Sequence, residues 1–254
     1  MLLAVDIGNT NITIGVFDND KLSSTYRMTS DKNLTIEEYT VLIRETLNDI
    51  SVNDCIIASV VVGLDETFKT AVDSIFNIKS MILTTKIDTG VKIKLQNNEE
   101  AGADRIANAY AASKLYKLPA IIIDFGTATT FDIINSNKEF IGGIIAPGLR
   151  LQLESLGKFT SKLPQLNVQE SKTAIGHNTN DAILSGVIRG TACMIEGLIY
   201  SCERELGERA TIVATGGYCN LTAKYMNRQF DYVNQSLTLD GLKNLFELNQ
   251  CLVH

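Results

Sequence analysis

Two short segments of this chain set an acidic residue and a glycine-centred turn at the end of an apolar run. The first is Asp6-Ile7-Gly8-Asn9-Thr10-Asn11, preceded by Leu2-Leu3-Ala4-Val5 and followed by Ile12-Thr13-Ile14-Gly15-Val16-Phe17. The second is Asp124-Phe125-Gly126-Thr127-Ala128-Thr129-Thr130, preceded by Ala120-Ile121-Ile122-Ile123. A turn of this kind brings backbone N–H groups and short hydroxyls close to an anion, because glycine puts no side chain in the way. A carboxylate beside it is placed to hold a cation, or a water bound to one. The same residues would serve an ordinary hairpin, and the first segment alone leaves both readings open. Its repetition, each copy opening a strand meander in its own half, points to a duplicated lobe. Two such turns facing one another across a cleft make a site for a polyphosphate and its cation.

A third segment, Gly102-Ala103-Asp104-Arg105, heads an alanine-rich run, Ile106-Ala107-Asn108-Ala109-Tyr110-Ala111-Ala112, that is a strong helix former. The helix dipole favours a carboxylate in the first turn, so Asp104 has a purely structural reading as an N-terminal acid. Arg105 sits less comfortably at that end and needs another reason. Adjacent helical residues point about 100° apart, so both side chains can line one pocket. Phosphoryl transfer asks for positioning, charge neutralisation and a base on the acceptor hydroxyl. Asp104 is the best-placed base, and Arg105 can grip an anionic acceptor through a charge-assisted fork. The chain has no G-x-x-x-x-G-K-[ST] and no G-x-G-x-x-G after a strand, which sets it apart from P-loop and dinucleotide-binding proteins.

The elements that must position these residues are legible from periodicity. Leu22 to Met28 is a third strand after the first hairpin, and Glu139 to Ile145 follows the second. Thr35-Ile36-Glu37-Glu38 has capping-box form ahead of a helix carrying Tyr39, Ile43 and Leu47. Cys55 to Val61 reads as a buried strand, Leu64 to Phe76 as a helix, and Ser80 to Thr84 and Val91 to Leu95 as short strands. Pro147 near a first helical position opens a helix after Gly142 to Gly148. Asn178 to Leu206 reads as one long core helix, with Gly186, Gly190 and Gly197 permitting close contact or a bend. Ala210 to Ala214 is a strand leading into Thr215-Gly216-Gly217, a weak nucleotide-side signal, and Leu237 to Leu248 is a closing amphipathic helix. The expected fold is α/β, with lobes spanning 1–116 and 117–254.

Composition narrows the class. The chain has 254 residues, is 45% hydrophobic and 20% charged, and carries a net charge of −6. It can bury a sizeable core. With no run of Lys or Arg, neither nucleic acid nor an anionic membrane is an expected partner. The longest contiguous apolar stretch, Cys55 to Leu64, is too short to span a bilayer. Cys55, Cys193, Cys202, Cys219 and Cys251 are scattered and never in a C-x-x-C pair, so reduced core thiols are expected and zinc is not. His177 and His254 are expected at the surface. The N-terminus runs straight into the first strand with no basic n-region or small-residue cleavage site, and the expectation is a soluble cytoplasmic protein.

Taken together, Asp6 to Asn11, Gly102 to Arg105 and Asp124 to Thr130 resemble the type III pantothenate kinases, over essentially the whole chain. The Gly-Ala-Asp-Arg motif is the family-specific element, and the two Asp-x-Gly turns belong to the wider actin/Hsp70/sugar-kinase superfamily. The resemblance implies two ribonuclease-H-like (actin-like) lobes, each a mixed sheet flanked by helices, with a nucleotide cleft between them. It implies ATP-dependent phosphorylation of pantothenate to 4′-phosphopantothenate, the first step of coenzyme A synthesis. Asp6, Ile7, Gly8, Asn9, Thr10, Asn11, Ile12 and Thr13 would bind ATP phosphates, with Asp6 near Mg2+, and Thr127 would touch ATP. Gly102, Ala103, Asp104 and Arg105 would hold pantothenate, with Asp104 as general base and Arg105 at the substrate carboxylate. Asp124 would hold a monovalent cation, K+ or NH4+. Thr179 would reach pantothenate from the partner subunit of a homodimer. The alternative is a catalytically silent homologue that binds nucleotide or regulates, against which the retention of Asp6, Asp104, Arg105 and Asp124 weighs. One departure stands out: Leu95 takes the position of a usual Tyr and Asn98 that of a usual Pro. By the resemblance, a lost tyrosine hydroxyl there would remove one substrate hydrogen bond, on the order of 1 kcal/mol if solvent replaces it poorly.

Overall fold

The computed structural model describes residues 1–250. Cys251, expected as a core thiol, and His254, expected at the surface, lie outside the described residues. In chain order the elements begin with β1 (Leu2–Ile7), β2 (Asn11–Asp18), β3 (Lys21–Thr29), α1 (Ile36–Thr46), β4 (Asp54–Ser59), α2 (Leu64–Phe76), β5 (Met81–Ile82), β6 (Lys92–Ile93) and α3 (Ala103–Leu115). They continue with β7 (Ala120–Phe125), β8 (Ala128–Ile134), β9 (Glu139–Pro147), α4 (Leu149–Phe159), α5 (Thr179–Leu184), α6 (Gly190–Leu206), β10 (Thr211–Gly216), α7 (Cys219–Ala223), β11 (Tyr232–Val233) and α8 (Leu237–Gln250). The chain divides into two compact units, Met1–Leu115 with the segment from Ser236 onward, and Tyr116–Gln235.

In the first unit β1, β2 and β3 form an antiparallel meander, and β4 and β5 extend it in parallel, giving the order β3-β2-β1-β4-β5. Side chains alternate across a strand, and Leu3, Val5 and Ile7 join Ile12, Ile14, Tyr39, Ile43, Ile57 and Phe68 in a core beneath α1 and α2. The expected capping box is formed. Thr35 Oγ1 accepts from Glu38 N at 3.3 Å, and Glu38 Oε2 accepts from Thr35 N at 2.8 Å. The opposite face is covered by α3 and α8. A β-carbon on Gly15 would meet Leu239 Cδ1 of α8 at 2.9 Å, and one on Gly241 would meet the Ala107 carbonyl oxygen at 2.2 Å. The alanines of α3 thus serve contact: Ala107, Ala109, Ala111 and Ala112 have no exposed surface. Thr238 Oγ1 donates to Asn108 Oδ1 at 2.8 Å across the same seam. The sequence boundaries place α8 with residues 117–254, yet this helix packs in the first unit.

The second unit repeats the order of the first. β7, β8 and β9 form the meander and β10 and β11 run parallel beside β7, so the strands lie β11-β10-β7-β8-β9. Ile121, Ile123, Phe131, Ile133 and Ile212 pack against Ala192, Ile195 and Ile199 of α6.

The helix expected over Asn178 to Leu206 is three stretches: α5, a π-helical turn Ser185–Arg189, and α6. By length and composition the run Thr179–Leu206 could cross a membrane, but Ile183, Val187, Ile188, Ala192, Ile195 and Ile199 are buried in this unit's cores. Gly186, Gly190 and Gly197 face open space rather than a close contact. The thiols also divide: Cys55 and Cys219 are buried as expected, Cys202 is half-buried, and Cys193 is exposed. Burial pushes the Cys55 thiol up to about 12, which makes it inert.

Candidate active site

The first turn is closed by Gly8 N donating to Asn11 O at 3.0 Å, and Ser30 N on the far side of β3 donates to Thr10 O at 3.1 Å. Asp6 lies opposite Thr13 of β2 and beside Ala58 of β4. Because Leu3, Val5 and Ile7 face α1 and α2, Asp6 falls on the face that carries α3 and α8.

Helix α3 packs against β4 and α8. Ile106 N donates to Gly102 O at 3.0 Å, which makes Gly102 the residue at which the helix begins. Asp104 Oδ1 accepts from Arg105 N at 2.8 Å, so the carboxylate satisfies one of the amides that a helix start leaves unpaired. Burial nevertheless dominates and pushes the Asp104 carboxyl above the usual carboxylate range, against the opposing pull of the Arg105 N–H bond and guanidinium. A mere capping acid would be stabilised as the anion; this one is made more basic. The 3₁₀ turn Asn98–Glu100 precedes it, capped by the Asn97 side chain, which accepts from Glu99 N at 3.1 Å. Asn98 opens that turn, where Pro would have cost no hydrogen bond. Leu95 is half-buried.

The second turn is one residue tighter. Gly126 N donates to Ala128 O at 3.0 Å, and the last strand pair is Phe125 with Thr129, against Ile7 with Ile12 in the first copy. Asp124 stands opposite Thr130 and beside Thr215 of β10. Two glycines press against this turn. A β-carbon on Gly148, just before α4, would lie 2.4 Å from Thr127 O and 2.7 Å from Gly126 O. Gly216 holds φ at +88°, and a β-carbon there would lie 2.7 Å from both Asp124 Oδ1 and Phe125 N. The start of α4 therefore abuts Thr127, with Gly148 N donating to Thr127 O at 3.1 Å, and Thr215-Gly216-Gly217 walls Asp124. Cys219, the first residue of α7, has its thiol pushed up by burial, with the nearby Asp124 charge adding to the effect. Thr179 is exposed at the head of α5, whose cap Asn178 accepts from Asp181 N at 2.9 Å.

Within the first unit Asp6 lies on the sheet face covered by α3 and α8, and the Asp104–Arg105 pair opens α3. Within the second the structure collects Asp124, Thr127, Gly148 and Gly216 around one turn, while Thr179 stands on a separate helix head. From the sequence Gly216 carries only the weak nucleotide-side signal of Thr215-Gly216-Gly217, and Gly148 carries no site role. Gly148 ends a Gly-rich edge before a helix, which plain turn chemistry also explains. Asp6 and Asp124 offer hard carboxylate oxygens, the donors that magnesium and alkali cations take.

Residues 2–201 match the family model described as type III pantothenate kinase. A type III pantothenate kinase of Dehalococcoides mccartyi is 40% identical, over 98% of this chain and 96% of that protein. One from Bacillus cytotoxicus is 38% identical, over 100% of this chain and 98% of that protein. Among solved structures, a ROK family glucokinase from Streptomyces griseus in complex with glucose and AMPPNP superposes with a TM-score of 0.57 at 13% identity, over 98% of this chain and 99% of that one. The activator of the 2-hydroxyisocaproyl-CoA dehydratase from Clostridium difficile, with bound ADPNP, gives 0.56 at 11% identity, over 99% and 96%. At such identities these likenesses establish the shared actin-like, sugar-kinase fold.

Proposed function

The chain belongs to the type III pantothenate kinase family, and on that premise we propose that it transfers the terminal phosphoryl group of ATP to pantothenate, yielding 4′-phosphopantothenate for coenzyme A synthesis. The observation that carries the chemistry is the placement of the Asp104 carboxylate, half-buried at the head of α3 and held by the Arg105 amide at 2.8 Å, where desolvation pushes its pKa up. In this reading Asp104 takes the proton of the pantothenate hydroxyl and Arg105 grips the substrate carboxylate. Gly102 and Ala103 bring backbone close to the same substrate. Asp6 to Thr13 bind ATP phosphates and Thr127 touches ATP. The neighbours solved with ADPNP or AMPPNP support a nucleotide for this fold. Asp6 would hold Mg2+ and Asp124 a K+ or NH4+ ion, and these cations would supply charge neutralisation to the phosphates. Thr179, exposed on its helix head, would meet pantothenate bound to the partner subunit of a homodimer. The expected compartment is the cytoplasm.

A coupled ADP-release assay tests the reading, run with and without pantothenate and with potassium against sodium. ADP release should require pantothenate and rise with potassium. Release indifferent to pantothenate would defeat the kinase reading, and release indifferent to the cation would defeat the role given to Asp124.

A further inference from the structure

Between α4 and α5 the chain runs from residue 160 to residue 178 without regular secondary structure. So long an irregular segment in a compact unit is uncommon and usually functional, and here its second half is tied down. Ser171 is only 5% exposed, and its backbone and hydroxyl are all engaged. Its N–H donates to Tyr225 Oη at 2.8 Å, and Tyr225 Oη donates to its carbonyl at 3.0 Å. Arg189 Nε donates to Ser171 Oγ at 3.1 Å and Arg189 Nη2 to the Ser171 carbonyl at 3.3 Å, while the guanidinium lies 4.7 Å from the centre of the Tyr225 ring. The Arg–Tyr stack and the two forked bonds make one rigid clamp.

The clamp is continuous with Thr179. Arg189 closes the π-helical turn Ser185–Arg189, and Ser185, which opens it, donates from Oγ to Ala174 O at 2.6 Å. A β-carbon on Gly176 would stand 2.2 Å from Ala182 N, so the strap lies directly against the first turn of α5. Asn178 then caps that helix. A π turn widens the helix by one residue and is seldom retained without use. Here it aims two side chains, four positions apart, at the segment that leads into Thr179.

We infer that Arg189 is a positioning residue for the acceptor: through Ser171 it holds strap 170–178 in the conformation that presents Thr179 to pantothenate. This rests on the reading of Thr179 as a substrate contact. The test is a cycle of Thr179→Ala, Arg189→Met and the double variant in the intact enzyme. The readouts are KM for pantothenate, KM for ATP, kcat and melting temperature. Met keeps an apolar stem over Tyr225 and loses both bonds to Ser171.

Thr179→Ala should raise the pantothenate KM about five- to tenfold, the scale of one lost hydrogen bond. Arg189→Met should raise it by a similar factor at unchanged ATP KM, and the double variant should be no worse than either single one. Arg189→Lys, which keeps the charge and a donor, should recover part of the loss. Should Arg189→Met not fold, Tyr225→Phe removes the two bonds to the Ser171 backbone and is expected to give the same pattern. If Thr179→Ala raises KM while Arg189→Met leaves it unchanged, the inference fails and the substrate contact stands. Additive effects, or equal rises in both KM values with a lowered melting temperature, also overturn it, since they mark a merely structural role. A silent Thr179→Ala removes the substrate contact itself, and the inference with it.

Discussion

A β-carbon on Gly102 would stand 2.6 Å from Oδ1 of Asp104, the same oxygen that holds the Arg105 amide at 2.8 Å. The backbone at the start of α3 therefore has to be bare for the carboxylate to sit where it does. Gly102→Ala should push the carboxylate aside and lower kcat by about a hundredfold, the usual cost of an ångström-scale misplacement. Steady-state kinetics with a thermal melt as control would check this. Unchanged turnover would mean that the carboxylate has room to move without loss.

Asp104 itself should show its burial in two ways. The base works only when ionised, so kcat/KM should fall as pH drops through a pKa above the ordinary carboxylate range. Asp104→Asn should keep nucleotide binding and lose about 10²- to 10⁴-fold in turnover. The stability effect has the opposite sign. A carboxyl whose folded pKa is raised binds its proton more tightly in the folded state, so the ionised form subtracts stability at neutral pH, and the penalty fades as pH falls to the unfolded value. Asn retains an oxygen for the Arg105 amide. Melting curves should therefore show the Asn variant at least as stable as the parent at neutral pH, with any advantage shrinking in acid. A variant less stable at neutral pH than in acid, relative to the parent, would contradict the burial argument.

At the second turn the test residue is Gly148, where a β-carbon would lie 2.4 Å from Thr127 O. The neighbour is backbone and cannot swing away. Gly148→Ala should displace Thr127 and raise the ATP KM by about tenfold, a loss of about 1.4 kcal/mol. Because the change is confined to the ATP turn, the pantothenate KM should hold. An effect on pantothenate alone would detach Thr127 from the nucleotide.

Gly241 separates helix propensity from packing. Alanine in a helix interior gains about 1 kcal/mol over glycine, which by itself predicts a stabilised variant. Yet the added β-carbon would stand 2.2 Å from the Ala107 carbonyl, and overpacking of that kind costs about 1–3 kcal/mol or more. Gly241→Ala should therefore lower the urea midpoint. A raised midpoint would show that α8 can move off α3 without cost.

Much of the lobe pattern was readable from local patterns. The apolar run Leu2 to Val5 ahead of Asp6 and its echo at Ala120 to Ile123 ahead of Asp124 announce two strands, each ending in a carboxylate and a bare turn. Thr35 and Glu38 announce a helix start, and their hydrogen bonds are both present. The limits of that reading are visible in α8 and Cys193. An amphipathic stripe says that a helix is covered on one side but does not name the partner, so Leu237 to Leu248 read as part of the second lobe while its contacts are with α3. A scattered cysteine reads as core by residue type, yet Cys193 faces outward on α6 because the buried arc of that helix passes through Ala192, Ile195 and Ile199.

The sequence by itself determined the chemistry on offer: paired Asp-x-Gly turns, and an Asp-Arg pair at the head of an alanine-rich helix. These are local properties, set by residue type and spacing along a few turns of chain. The fold in three dimensions decided what those groups become. It buried Asp104 enough to raise its basicity, set Gly148 and Gly216 against the Asp124 turn, and joined Arg189 to Ser171. Each of these depends on atoms brought together from distant parts of the chain, and desolvation and steric exclusion exist only once those atoms meet.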